Sequence, residues 1–310
     1  MELSNPFRHP PGVPRVEIPR AEGRFRQSDG RGLGYAEFGD PTGPVVLWFH
    51  GTLGARRQFP VLGRRAAEAL GLRVFVIERP GTGLSDAHRY SAVTDCVGDI
   101  AQVADALEAE QLGIVGLSGG GAYALACGAL PPLVDRVASV AVLDGTVPSV
   151  GPEAGFGGAT EVARRLNPVL TQLRRPLAML STALLAPLIP FAHYAYRGYA
   201  RMWPEADRRV LNDPEIEGIF VDDMVNAFRG RCLAMVDDAR LLGRDWGFRL
   251  ADVKVPVRWW HGESDHVVPI AGVHAAIARL QDAELTLRAE SHLGGFAKID
   301  EVLQHVRGFL

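Results

Sequence analysis

Short, nearly continuous apolar runs alternate along the chain with longer segments in which apolar residues recur at helical spacing. Residues 45–49, 74–77, 112–116 and 137–143 are runs of the first kind, the pattern of strands buried on both faces of a sheet. Residues 24–27 and 35–38, either side of Ser28-Asp29-Gly30, read as an opening hairpin. Helices are predicted over 56–70, 92–108 and 121–130. In the second, Val97, Ile100, Val103, Ala104 and Leu107 fall on one face. The alternation stops after Asp144. Residues 145–231 hold several helical segments, many prolines and the aromatics His193, Tyr194, Tyr196, Tyr199 and Trp203, with no clear strand. It resumes with a strand at 255–260, a helix at 270–280, a strand at 284–288 and a final helix to Leu310. Strand and helix in alternation imply an α/β fold with a mostly parallel, doubly wound sheet. The expected organisation is a proline-rich arm over 1–23, a core over 24–145 and 232–310, and a helical insertion over 146–231.

Length and charge narrow the field. A chain of 310 residues with 47% hydrophobic residues, 22% charged residues and a net charge of −3 reads as one large domain with an insertion, or as two domains. The balance offers no electrostatic footprint for nucleic acid. Cys96, Cys127 and Cys232 are scattered and odd in number. They form neither a disulfide framework nor a metal-ligand spacing, so a cytoplasmic location is expected. The first residues, broken by Pro6, Pro10, Pro11, Pro14 and Pro19, lack the apolar centre of a signal peptide. Residues 177–192 carry no charge, but they are short for a membrane span and contain Pro187 and Pro190. The expectation there is a buried or pocket-covering helix and no integral membrane segment. A homodimer is left open.

Gly116-Leu117-Ser118-Gly119-Gly120 lies between a predicted strand and a predicted helix. A serine on so sharp a turn needs very small neighbours two positions away, and it sits where helix N–H groups face a developing anion. Attack on a carbonyl also needs a base, a carboxylate to orient it and donors for the oxyanion. His292, between the last strand and the last helix, is the candidate base. Asp265, in the turn after the 255–260 strand, is the candidate acid, with Glu263 and Asp144 as rivals. His50-Gly51-Thr52 ends another strand, so the Thr52 and Gly119 N–H groups are the candidate oxyanion donors.

Together these motifs resemble the α/β-hydrolase superfamily over nearly all the chain outside the arm. The order Ser118, Asp265, His292 is that family's order of nucleophile, acid and base. His50-Gly51-Thr52 is similar to its oxyanion strand end, without the multi-glycine version. Residues 78–86, Glu78-Arg79-Pro80-Gly81-Thr82-Gly83-Leu84-Ser85-Asp86, are similar to its mainly structural loop after the fourth strand. The insertion falls where members carry a helical lid, between the sixth and seventh strands. The resemblance implies a serine hydrolase that cleaves apolar esters of small or medium size through an acyl-enzyme. Since the sequence shows no metal-ligand cluster or dinucleotide loop, no cofactor and no metal are expected. Family members with an aspartate nucleophile are excluded by Ser118. Those with a bulky residue after the serine, as in proline iminopeptidases and cofactor-free haloperoxidases, depart from Gly119. The alternatives are a carbon–carbon bond hydrolase of diketone-type substrates, with one of several insertion arginines, Arg197 and Arg201 among them, holding a carboxylate, and a slow-turnover, triad-bearing ligand receptor. Substrate-binding residues are not identified. The apolar residues of 177–191, Leu184 and Leu188 among them, are expected to wall an acyl pocket.

Overall fold

The computed structural model describes residues 16–155, 157–227 and 232–310. The expected arm therefore lies outside the described residues up to position 15, as do the last four positions of the expected insertion. Eight strands form a single sheet in the order β1-β2-β4-β3-β5-β6-β7-β8. They are β1 (Ala21–Arg26), β2 (Gly32–Gly39), β3 (Val45–Phe49), β4 (Arg73–Ile77), β5 (Leu112–Leu117), β6 (Val137–Leu143), β7 (Val257–Gly262) and β8 (Ala283–Arg288). The first two pairings, β1 with β2 and β2 with β4, are antiparallel. Every later pairing is parallel. β1 starts three residues earlier than expected because Ala21, Glu22 and Gly23 pair with Glu37, Ala36 and Tyr35.

The central strands are apolar throughout because both faces are covered. Along β3, Leu47 and Phe49 enter one core while Val46 and Trp48 enter the other, the two-residue period of a pleated strand. The first core packs beneath α2 (Cys96–Ala106), α3 (Gly120–Ala129) and α10 (Ile270–Ile277). The second packs beneath α1 (Val61–Ala69) and α11 (Ile299–Arg307), whose Ile299, Val302, Leu303 and Val306 are all buried. α1 begins five residues later than expected. Pro60 takes its N-cap and disfavours helical geometry at Phe59. Arg56 and Arg57 are instead held outside by Glu22, Glu78 and Asp222.

Between β6 and β7 run α4 (Gly158–Gln172), α5 (Arg174–Leu185), α6 (Ala192–Arg201), α7 (Glu205–Leu211), α8 (Pro214–Ala227) and α9 (Leu233–Leu242). A 3-10 turn over Ala186–Phe191 joins α5 to α6. α9 packs on α4 and α5, and α6 packs on α8.

Candidate active site

Ser118 sits at the junction of β5 and α3 with φ at 50°, in the left-handed region. That conformation costs an L-residue about 1–3 kcal/mol and persists only where the surroundings enforce it. Here the backbone bonds of the turn do so: Ser118 N donates to Leu143 O at 2.8 Å, and Gly121 N and Thr146 N donate to Ser118 O at 3.0 and 3.1 Å. The flanking glycines are compulsory. A Cβ on Gly116 would stand 2.7 Å from Gly120 O, and one on Gly120 would stand 2.2 Å from Phe49 O.

The structure brings Ser118, His292 and Asp265 together. Ser118 Oγ lies 2.9 Å from His292 Nε2, and His292 Nδ1 lies 2.7 Å from Asp265 Oδ2. A carboxylate only accepts, so Nδ1 carries the proton and Nε2 is left to accept from the hydroxyl. Burial opposes a charge on His292, but the Asp265 hydrogen bond and charge, aided by Asp144 and Asp207, outweigh it and raise the pKa above 6.5. Burial likewise opposes the Asp265 charge, and the His292 contact outweighs it and lowers that pKa. The second Asp265 oxygen accepts the backbone N–H groups of Val267 and Val268 at 2.7 and 2.9 Å. Asp265 thus both caps the turn before α10 and faces the histidine.

The rival acids stand elsewhere. Asp144 is fully buried after β6 and forms an ion pair with Arg288 at 2.9 Å, while also accepting Gly262 N at 3.1 Å. Glu263 shows no side-chain contact to His292 among the described hydrogen bonds. Asp144, His261 and Asp265 gather potential ligand atoms within 4.8 Å of one another. Their lone pairs are already committed, however, and the Arg288 guanidinium supplies the positive charge a cation would bring. His261 Nε2 donates to Val268 O at 2.8 Å and lies 3.3 Å from Asp265 Oδ2. Burial keeps this imidazole neutral by lowering its pKa.

Thr52 and Gly119 also converge. A Cβ on Gly119 would fall 2.2 Å from Thr52 Oγ1 and 3.4 Å from Thr52 N, which explains why no bulky residue follows the serine. Neither N–H has an acceptor among the described loop and turn hydrogen bonds. The strand end carrying Thr52 is pinned from several sides. Arg79 donates to His50 O at 2.7 Å and Gly51 O at 2.8 Å, and Gln58 Oε1 accepts Gly51 N at 2.7 Å. Asp238 of α9 binds Thr52 Oγ1, Tyr123 OH and Arg79. The loop containing Arg79 thus braces the strand end. Sequence patterns carry no trace of Asp238, which acts on Thr52 across 186 residues, and Gln58, though only seven residues from Gly51, belongs to no motif.

A cavity of about 300 Å³ opens over Ser118. Its walls come from Leu53, Ala159 and Ala163 of α4, Tyr199, Trp203, Phe220, Ala239 and Leu242 of α9, Val267, Leu293 and Phe296. The Trp203 ring lies nearly parallel to the His292 ring, 6.2 Å away. Thr146 also lines the cavity, and its buried hydroxyl has no hydrogen-bond partner among the described residues. The wall differs from the sequence expectation. No residue of 177–191 reaches the cavity, and Met179, Leu180, Leu184, Leu188 and Phe191 are exposed. α5 docks on its neighbours through Ala178, its one fully buried residue, and α4, α8 and α9 already occupy the wall. Arg197 is paired with Glu217, and neither it nor Arg201 lines the cavity.

The family model described as alpha/beta hydrolase fold matches residues 44–296. No curated protein matches the sequence significantly. Solved structures do. An esterase from a Rhodococcus species superposes with a TM-score of 0.66 at 17% identity, covering 93% of this chain and 99% of that one. An esterase from Exiguobacterium antarcticum gives 0.65 at 17% identity, over 93% of this chain and 100% of that one. The enol-lactonase from Burkholderia xenovorans gives 0.63 at 18% identity, over 91% and 97%. At such identities the likeness is one of fold.

Proposed function

The chain belongs to the alpha/beta hydrolase fold family, and from that premise we propose that it is a serine hydrolase acting on neutral, apolar carboxylic esters. In this reading Ser118 attacks the ester carbonyl while His292 Nε2 takes its proton. Asp265 holds the imidazole with Nδ1 protonated and stabilises the imidazolium. The carbonyl oxygen, turning into an oxyanion, collects the N–H groups of Thr52 and Gly119, aided by the N-terminal end of α3. Collapse of the tetrahedral intermediate releases the alcohol, which leaves with the proton from His292. Water, activated by the same histidine, then frees the acid. The helices between β6 and β7 act as a lid over the site. The three buried free cysteines suit a reducing compartment, and the cytoplasm is the location we propose.

One observation carries the reading: a strained serine 2.9 Å from a histidine that is 2.7 Å from a buried carboxylate. The cavity wall supports the substrate class. Its side chains are largely apolar, Thr146 is positioned as a hydrogen-bond donor to a substrate oxygen, and His292 is its only ionisable member besides tyrosine among the described residues. No guanidinium lines it among the described residues, so the carboxylate-holding arginine expected of a carbon–carbon bond hydrolase has no counterpart among them. Esterase and enol-lactonase activity in the structural relatives points the same way.

The test is turnover of p-nitrophenyl esters. Wild-type protein should release far more than one equivalent of nitrophenol, which separates an enzyme from a receptor. Ser118→Ala should lower kcat by roughly three to six orders of magnitude with the circular-dichroism spectrum unchanged. A folded variant that keeps near wild-type turnover would overturn the assignment.

A further inference from the structure

The helices between β6 and β7 turn an apolar face to solvent. In α5 the row Leu180 and Leu184, spaced by four, continues the turn from Leu173, and all three are exposed. Residues so spaced share one side of a helix. The 3-10 turn that follows exposes Leu188 and Phe191. In α4, Val162, Leu166 and Val169 make a similar exposed stripe beside Ala159 and Ala163, which line the cavity over Ser118. Scattered exposed leucines are ordinary, but a contiguous apolar face marks a binding surface.

Charge indicates what covers it. Residues 162–204 contain six arginines and no acidic residue, in a chain whose net charge is −3. Their partners come from outside the stretch. Glu161 serves both Arg164 and Arg165, Asp237 holds Arg174, and Glu217 holds Arg197. Arg175 and Arg201 are exposed and have no ion pair among the described residues. The segment that bears this apolar row therefore also carries unneutralised guanidinium groups, Arg175 standing off the Leu180 and Leu184 row on α5. Apolar and cationic side chains together are the chemistry that binds an anionic lipid surface. Pairing with a second copy through the same segment would bring its arginines towards those of the partner.

We propose that this face docks the protein onto an anionic phospholipid bilayer, lying on the surface rather than crossing it. By length and composition alone Arg174–Arg201 could span a membrane, having 28 residues and a window of mean hydropathy 1.5. Crossing is opposed by the 3-10 turn with its Pro190, and by Ala192, His193, Tyr196 and Ala200, which bury one side of α6 against the fold. Only 17% of the apolar window is buried, so docking would cover surface already exposed. The same placement sets the cavity's α4 wall at the edge of the lipid, where apolar esters partition.

Flotation of the full-length protein with vesicles tests the proposal. Vesicles of phosphatidylcholine mixed with phosphatidylglycerol should carry it at low salt, and added salt should release it. Vesicles of phosphatidylcholine alone should carry little. Replacing both Arg175→Gln and Arg201→Gln should weaken partition roughly thirtyfold, from about 1 kcal/mol per basic residue. Leu180→Asp with Leu184→Asp should abolish it, whereas Leu287→Asp, an exposed position on β8, should not. Ser118→Ala should float like the wild type, so the result is independent of hydrolysis. Equal binding to both vesicles, no binding by the full chain, or undiminished binding by the two double variants would overturn the proposal. So would a dimer in solution that dissociates on Leu184→Asp.

Discussion

His292 is held between opposing influences. Burial disfavours its charge, and the Asp265 carboxylate at 2.7 Å favours it more, so its pKa stands above 6.5. The hydroxyl of Ser118 can hand its proton only to a neutral imidazole. Activity should therefore be lost as pH falls through the raised pKa and be full above it. The kcat/KM profile on a neutral ester should show an acid limb with an apparent pKa above 6.5. Asp265→Asn removes the charge that raises this pKa and leaves Nδ1 without its acceptor. The limb should shift to lower pH, and kcat should fall by about four orders of magnitude, as in serine proteases. A limb that stays in place in the Asn variant would mean that another group, Asp144 foremost, controls the histidine. At this scale much was legible. Ser118 is marked by glycines whose absence of Cβ the turn demands, and His292 and Asp265 by their positions after strands. Position after the 255–260 strand favours Asp265 over Asp144 already in the sequence; what space adds is the partner of the rival, for Asp144 faces Arg288, which lies 144 residues away.

Elements divide the work of the cavity. α4 and α9 present Ala163 and Leu242 to it, while α5 turns Leu184 outward. Enlarging Ala163 to Leu, on the cavity wall, should therefore cut activity on long acyl chains relative to acetate. About 1–3 kcal/mol per methylene, or tenfold and more in relative kcat/KM, is the expected scale. Leu184→Ala should leave that ratio for soluble esters unchanged. A series of p-nitrophenyl esters checks both, and a shifted ratio in the Leu184 variant alone would show that α5 closes on the substrate in solution. The helical character of this region was readable from its spacing. Which of its apolar faces turns inward was not, because α4 and α5 each carry apolar residues enough for either answer, and only their neighbours choose.

Across the whole molecule, α8 is tied to the loop after β3 by a buried carboxylate. Asp223 accepts Ala55 N at 2.8 Å and Arg57 N at 2.9 Å. Burial pushes its pKa up to about 7 from an ordinary 3.8, with the Ala55 bond opposing and the neighbouring Glu78 charge adding to the rise. A raised acid pKa means that the folded state holds a proton the unfolded chain has released. This contribution to stability is greatest below about pH 4, declines as pH rises towards 7, and is level beyond. Urea unfolding of wild type and Asp223→Asn across that window should reveal it. The stability difference, wild type minus variant, should fall by a few kcal/mol between the two ends. A difference flat with pH would show that Asp223 is ionised in the fold throughout.

By itself the sequence determined the alternation of strand and helix, the interruption after β6, the elbow at Ser118 and the chain order of Ser118, Asp265 and His292. These rest on local physics: two-residue and helical periodicities, and backbone conformations that only glycine tolerates. Periodicity alone places the start of α1 five residues too early, although Pro60 marks it. Tertiary structure alone decided that Asp238, Arg79 and Gln58 hold the strand end bearing Thr52, that Trp203 faces His292, and that residues 177–191 lie outside the cavity. Each of these depends on which surfaces meet after the chain has closed on itself. An aspartate on α9 has the same local signature whether it faces water or a threonine 186 residues away.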